Sequence, residues 1–200
     1  MIRRPTEPSV LVRAARWLFA IGWVLLIALA AGAFAFHPDK FTSGSIAAFL
    51  REFETAALAV FLIFSVLRGF TLLPSTPLVL SGTLLFPHQP WAVLAVSLAG
   101  ILASSAMIYW LSDVLGFAEY FEKRKPHNVA KIRKRLEHPA GALFVLLWAF
   151  FPLAPTDAIC YVAGTMRMNF AKFIVAIFVG ELVLCTIYVF GGSSIATLPS

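Results

Sequence analysis

Between Gly69 and Ser112 the chain carries no Lys, Arg, Asp or Glu. A charge-free run of that length belongs in lipid or at the centre of a membrane protein. Yet Pro74-Ser75-Thr76-Pro77 lies inside it. Each proline lacks an N–H and clashes with the carbonyl four residues back, so a helix is interrupted there. Backbone freed in this way cannot face hydrocarbon. It must pack against protein or line a wet cavity. Membrane transport proteins place substrate sites at such interruptions.

The interruption comes twice. Pro152-Leu153-Ala154-Pro155 repeats the Pro-x-x-Pro pattern, and Ala163-Gly164-Thr165 follows it as Ser81-Gly82-Thr83 follows the first. The second proline precedes the glycine by five residues in one copy and nine in the other, a difference of about one helical turn. An internal repeat accounts for this. The alternative is coincidence in a chain with 12 prolines and 12 glycines.

Composition agrees with a membrane domain: 60% of residues are hydrophobic and 13% charged, against about 25% charged in a soluble domain. The net charge of +6 does not signal nucleic acid. The cations cluster beside apolar spans, where they set topology and meet lipid headgroups. Cys160 and Cys185 sit in apolar segments without Cys-x-x-Cys spacing and read as small buried hydrophobes. No P-loop, metal-ligand spacing or nucleophile motif occurs, so neither an enzyme nor a cofactor is expected. His37, His88, His127 and His138 fall in loops.

Residues 1–16 hold Arg3, Arg4, Arg13 and Arg16 against Glu7, which places the N-terminus in the cytoplasm. Residues 17–36 are uncharged and suffice for one crossing, too long for a signal-peptide core. Residues 37–55 form an outer linker with Ile46, Phe49, Leu50 and Phe53 at helical spacing. A membrane domain over 56–192 follows, with hairpin 56–86, helix 91–111, a basic loop 112–140, hairpin 141–164 and helix 169–190, then a tail over 193–200. Within the loop, residues 123–135 are rich in Lys and Arg, and 129–136 suits a basic helix lying on anionic lipid.

Parity sets the topology. If 91–111 ends at a cytoplasmic loop, it starts outside. Residues 56–86 must then enter and leave on the outer side, and 141–164 on the inner side. The fold class is therefore an all-α integral membrane protein with transmembrane helices and two opposed, proline-broken re-entrant hairpins, an inverted arrangement. An ordinary four- or five-span bundle is the alternative.

These motifs resemble the DedA/VTT superfamily, the SNARE-associated Golgi protein family, and lie nearer its Tvp-type branch. The resemblance covers about residues 50–192. It rests on Leu73-Pro74-Ser75-Thr76-Pro77, Ser81-Gly82-Thr83-Leu84-Leu85-Phe86, Phe151-Pro152-Leu153-Ala154-Pro155, Tyr161-Val162-Ala163-Gly164 and Phe170. It implies two opposed re-entrant hairpins among transmembrane helices, a bacterial plasma (inner) membrane location, and movement or scrambling of phospholipids or polyprenyl phosphates, in some members coupled to protons. DedA proper has an acid in the first hairpin and arginines around the second. Here the first offers Ser75 and Thr76, and Ala149 and Pro155 stand where those arginines would fall. Headgroup recognition by those arginines does not carry over. The Tvp-type branch often has an asparagine where this chain has Asp157.

Asp157, two residues past a proline, and Glu181, in the middle of the last helix, are the candidate proton carriers, because an acid inside a membrane is functional by default. The structural alternative is that each pairs with Arg68 or Arg167. Those two arginines are the headgroup candidates, Arg167 being better placed to snorkel. Pro74, Ser75, Thr76, Pro77, Gly82, Pro152, Pro155 and Gly164 make the hairpin breaks, with Ser75 and Thr76 suited to bonding freed carbonyls. Two functions follow: lipid transport, with membrane lipids as partners, or a scaffold whose basic loop binds a partner. A homodimer is compatible with either.

Overall fold

The computed structural model describes residues 10–114, 126–152 and 154–196. Arg3, Arg4, Lys123, Arg124 and Lys125, which contribute to the charge pattern above, lie outside the described residues. The described chain is helical throughout, with no strand. Its helices are α1 (Val10–Phe36), α2 (Ser43–Arg51), α3 (Ala57–Arg68), α4 (Thr76–Leu85), α5 (Pro90–Val114), α6 (Pro126–Glu137), α7 (Pro139–Phe150), α8 (Thr156–Thr165) and α9 (Phe170–Ala196). Glu54–Thr71, Pro90–Ser112 and Phe170–Gly191 are long and apolar enough to cross a membrane. Ile21–Phe36, Thr76–Leu85 and Ala140–Phe150 are apolar but shorter.

The prolines act differently from the sequence expectation. Helix α3 stops at Arg68, ahead of both Pro74 and Pro77, in a turn where Leu72 is left-handed with φ 59°. Pro77 then occupies the first turn of α4, where its missing N–H is no loss and its fixed φ suits a helix start. Pro139 does the same for α7. Pro77 and Pro139 thus start helices, whereas Pro152 follows the extended residue Phe151 that ends α7, as expected of a residue before proline.

The two halves follow one plan. Helices α3 and α7 each have 12 residues, and α4 and α8 each have 10. Each pair folds into a hairpin, followed by a long helix, α5 or α9. The long helices run antiparallel: Trp91 meets Phe190 at 4.9 Å between ring centroids, and Tyr109 meets Phe173 at 5.1 Å. Each long helix packs on the first leg of its own hairpin and on the second leg of the other. Gly100 and Gly180 hold equivalent positions in α5 and α9. A Cβ on Gly100 would lie 2.3 Å from Ser65 Cβ of α3, and one on Gly180 would lie 2.6 Å from the Leu146 carbonyl of α7. The internal repeat is thus structural, and it is inverted.

The hairpins insert from opposite ends of the α5–α9 pair. Gly82 of α4 lies against Phe61 of α3 and Val93 near the start of α5, whereas the first tip reaches Ser104. Gly164 of α8 lies against Tyr109 and Ser112 near the end of α5, and the second tip reaches the level of Glu181. The tips therefore meet inside the bundle. The packing is inside-out relative to a water-soluble protein. Arg68, Asp157, Glu181, Ser97, Ser104, Ser105 and Ser112 are buried, while Leu143, Phe144, Leu147, Val175 and Ile187 point outward. An apolar exterior suits lipid, and polar groups are kept away from it.

The linker helix α2 is capped by Thr42, whose hydroxyl oxygen accepts from the Ser45 N–H at 3.2 Å. It buries Ala47 and Leu50 and packs on α4. Phe49 and Phe53, expected on the same apolar face, stay largely exposed and cluster with Phe64.

Candidate functional site

The site forms where the two tips touch. Arg68, the last residue of α3, is carried inward and does not snorkel; its side chain is 8% exposed and that of Asp157 is 1% exposed. Arg68 Nη1 donates to Asp157 Oδ2 at 3.1 Å and to the Leu73 carbonyl at 2.8 Å. One guanidinium nitrogen therefore repairs the backbone freed at the first turn and pairs with the acid of the second hairpin. Arg68 Nη2 and Asp157 Oδ1 are buried with no hydrogen-bond partner among the described residues. The pair is single-bonded, with one donor and one acceptor to spare.

The close approach depends on Gly69. A Cβ there would lie 2.4 Å from Ser104 Cβ and 3.2 Å from Asp157 Oδ1. Any other residue would push the first tip away from both α5 and the acid.

Glu181 sits beside this pair on α9. Thr156, opening α8 next to Asp157, donates its hydroxyl to Glu181 Oε1 at 2.5 Å. The Cys185 thiol lies 3.9 Å from Oε2, and the Cys160 thiol donates to the Thr156 carbonyl at 3.2 Å. Both cysteines are buried, as expected, but they border the acids rather than a purely apolar core. One guanidinium and two carboxyl groups are thus gathered from α3, α8 and α9.

The remaining candidates fall into place as follows. Ser75 and Thr76 do not bond the freed carbonyls. The Leu73 carbonyl takes Arg68, and Thr76 donates to the Tyr188 hydroxyl at 3.3 Å. At the second tip the Trp148 indole N–H donates to the Pro155 carbonyl at 3.2 Å. Ala149 is fully buried, and a Cβ at Gly180 would come within 2.9 Å of its own Cβ, so no arginine fits at that position. The cation comes from the other hairpin instead. Arg167 is exposed in the α8–α9 turn with φ 53°, and no bond joins it to either acid. Gly82 and Gly164 are packing positions in the second legs.

Two openings lie near the tips, and Thr156, the partner of Glu181, lines the first of them. A cavity of about 100 Å³ lies between the tips, lined by Leu72, Pro74, Ser75, Pro152, Pro155 and Thr156 among others. An open groove of about 460 Å³ continues from it past Pro74, Pro152, Thr76 and Tyr188 to Thr42 and Ser43 at the start of α2. Pro74 and Pro152 border both. Trp23 of α1 covers the tips, edge-on to Phe70 at 5.1 Å and to Tyr161 at 6.0 Å. Sequence reasoning missed Thr156, Trp148, Tyr188 and Trp23. Thr156 could have been found as the neighbour of Asp157, and Trp148 as the donor nearest the second break.

A family model described as the VTT domain, the DedA/SNARE-associated family domain, matches residues 73–194. It singles out no branch within that family. No curated protein and no solved structure matches the chain. The matched stretch contains Asp157 and Glu181; Arg68 precedes it.

Proposed function

This chain belongs to the VTT domain family and is a membrane protein; on that premise we propose that it moves a lipid or lipid-linked phosphate between the leaflets of the bilayer. The single observation that carries this is the buried Arg68–Asp157 pair, 3.1 Å long, joining two hairpin tips, with Thr156 beside the acid lining a cavity. A buried ion pair is a poor device for stability alone, because desolvation offsets most of its attraction. It is a good device for a path that must accept a charged headgroup. Arg68 Nη2 supplies the donor for a phosphate oxygen, and the acyl chains stay outside among the apolar outer faces. The groove between α2, α4 and α9 is the approach from one side.

In this mechanism the hairpins enter from opposite membrane faces and turn within the bilayer, with the arginine-rich N-terminus in the cytoplasm of a bacterial cell. Asp157 pairs with the guanidinium and Glu181 lies beside that pair, held by Thr156, so a proton can accompany the headgroup on one of the two acids. Translocation makes and breaks no covalent bond and requires no catalytic group.

The test is lipid movement in proteoliposomes, using fluorescent phospholipid and polyprenyl phosphate in separate preparations. Wild type should move at least one of them. Asp157→Asn and Glu181→Gln should reduce that movement towards the protein-free level while the helical circular dichroism is unchanged. Movement that survives both substitutions reduces the acids to structural groups. Absence of movement for either lipid with folded wild type removes the transport assignment and favours a scaffold.

A further inference from the structure

The surface at the cytoplasmic root of the second hairpin carries chemistry that transport between the tips does not use. Helix α6 is joined to the bundle by two inward side chains. Leu136 is buried at 6% exposure, and Arg133 Nε donates to the Met166 carbonyl at 3.0 Å. Met166 is the C-terminal cap of α8, and the left-handed Arg167 follows it. Positions three and four apart share a helix face. Lys131, Lys134 and Arg135 therefore lie together on the side of α6 opposite Arg133 and Leu136, and all three are exposed. Ile132 is 41% exposed at the flank of that basic face. Arg167 and Lys172, on the adjoining turn and helix, are exposed as well.

The exposed acids whose side chains are described, Asp39, Glu52 and Glu54, all lie in the linker between α1 and α3. Helix α7 starts two residues after α6 ends, and its apolar stretch Ala140–Phe150 faces outward at Leu143, Phe144 and Leu147. The basic face is thus held within a turn or so of the lipid boundary and cannot reach far into solvent.

We propose that α6 lies on the anionic lipid surface, Lys131, Lys134 and Arg135 meeting lipid phosphates and Ile132 entering the headgroup layer, and that Arg133 links this contact to the α8–α9 turn. A basic face with a flanking apolar side chain is the composition of interfacial helices, and the cytoplasmic leaflet supplies the negative charge. The occupant is a membrane surface rather than an acidic protein because the helix is fixed beside lipid-facing residues on a short tether. The contact is independent of what passes between the hairpin tips. A headgroup contact at α6 exists whether or not any lipid crosses.

The experiment uses the full chain in nanodiscs of phosphatidylcholine alone or of phosphatidylcholine mixed with phosphatidylglycerol, with amide hydrogen exchange as the readout. In the anionic discs, exchange across α6 should slow several-fold, and the amides of Met166 to Met168 should slow with it. Raising the salt should reverse both, since screening shortens the reach of exposed charges. The triple variant K131Q/K134Q/R135Q should exchange alike in the two discs. Arg133→Gln should keep the lipid response of α6 and lose that of the turn. Helix α2 serves as the internal control and should not respond. Equal exchange of wild-type α6 in both discs overturns the proposal and leaves the basic face to an acidic protein. A turn response that persists in Arg133→Gln overturns the link.

Discussion

The two hairpins have the same lengths of leg and opposite contents at the tip. The first brings a cation, Arg68, and repairs its turn with that same group, which donates to both the Leu73 carbonyl and Asp157. The second brings Asp157 and sets Thr156 against Glu181, while a neutral donor, Trp148, repairs its turn at the Pro155 carbonyl. In the first hairpin backbone repair and charge are one function; in the second they are separate. The equivalent threonines show the same division. Thr76 opens α4 and has a 3.3 Å contact with a tyrosine hydroxyl, whereas Thr156 opens α8 and has a 2.5 Å bond to an acid. A repeat can preserve its backbone and still assign its chemistry unequally.

Breaking the pair tests this most severely. Asp157→Leu alone leaves Arg68 buried without a counter-charge and should cost about 3–5 kcal/mol, read by thermal or denaturant unfolding in detergent. Adding Arg68→Met to that variant should recover most of the loss, since an apolar pair replaces a buried ionic one. It should not recover all of it, because the Leu73 carbonyl is left without its donor, a cost of about 1–3 kcal/mol. Complete recovery would show that Arg68 does not serve the backbone and that the hairpins do not differ in this respect.

The next effect concerns how closely the first tip is drawn in. Gly69→Ala introduces a Cβ 2.4 Å from Ser104 Cβ, and overpacking of this kind should cost about 2 kcal/mol. Ser104→Gly in the same chain removes the clash and should restore the melting temperature. A Gly69→Ala variant as stable as wild type would show that the tip has room to move and that Arg68 can reach Asp157 from farther out.

The smallest effects compare the threonines. Thr156→Val removes a bond to a carboxyl group and should cost about 1.5 kcal/mol. Thr76→Val should cost about 0.6 kcal/mol, the usual value for a hydrogen bond inside a membrane protein. Equal losses in parallel unfolding experiments would mean that the two second legs are held alike.

Much of this arrangement was legible in the chain. The charge-free run, the two Pro-x-x-Pro motifs and the lone acids in apolar segments point to a helical membrane protein with interrupted helices, because hydrocarbon tolerates neither charge nor unpaired backbone. The alignment of the repeat was less legible. Matching prolines and glycines gave unequal spacings, whereas the helices themselves align Thr76 with Thr156. A proline can restart a helix as well as stop one, and a pattern of prolines alone does not say which. The repair of the turns was also misassigned to Ser75 and Thr76, since nearness in sequence suggested short local bonds where Arg68 and Trp148 reach across instead.

By itself the sequence determined that this protein is helical, belongs in a membrane, and contains paired interruptions with acids close by. Those properties follow from composition and local periodicity, which every neighbouring residue reports. Which acid meets which cation was decided by the tertiary structure. Arg68 and Asp157 are far apart in the chain, each had Arg167 or Glu181 as an equally acceptable partner, and only the meeting of two hairpins from opposite ends, allowed by the missing side chain at Gly69, brings them to 3.1 Å.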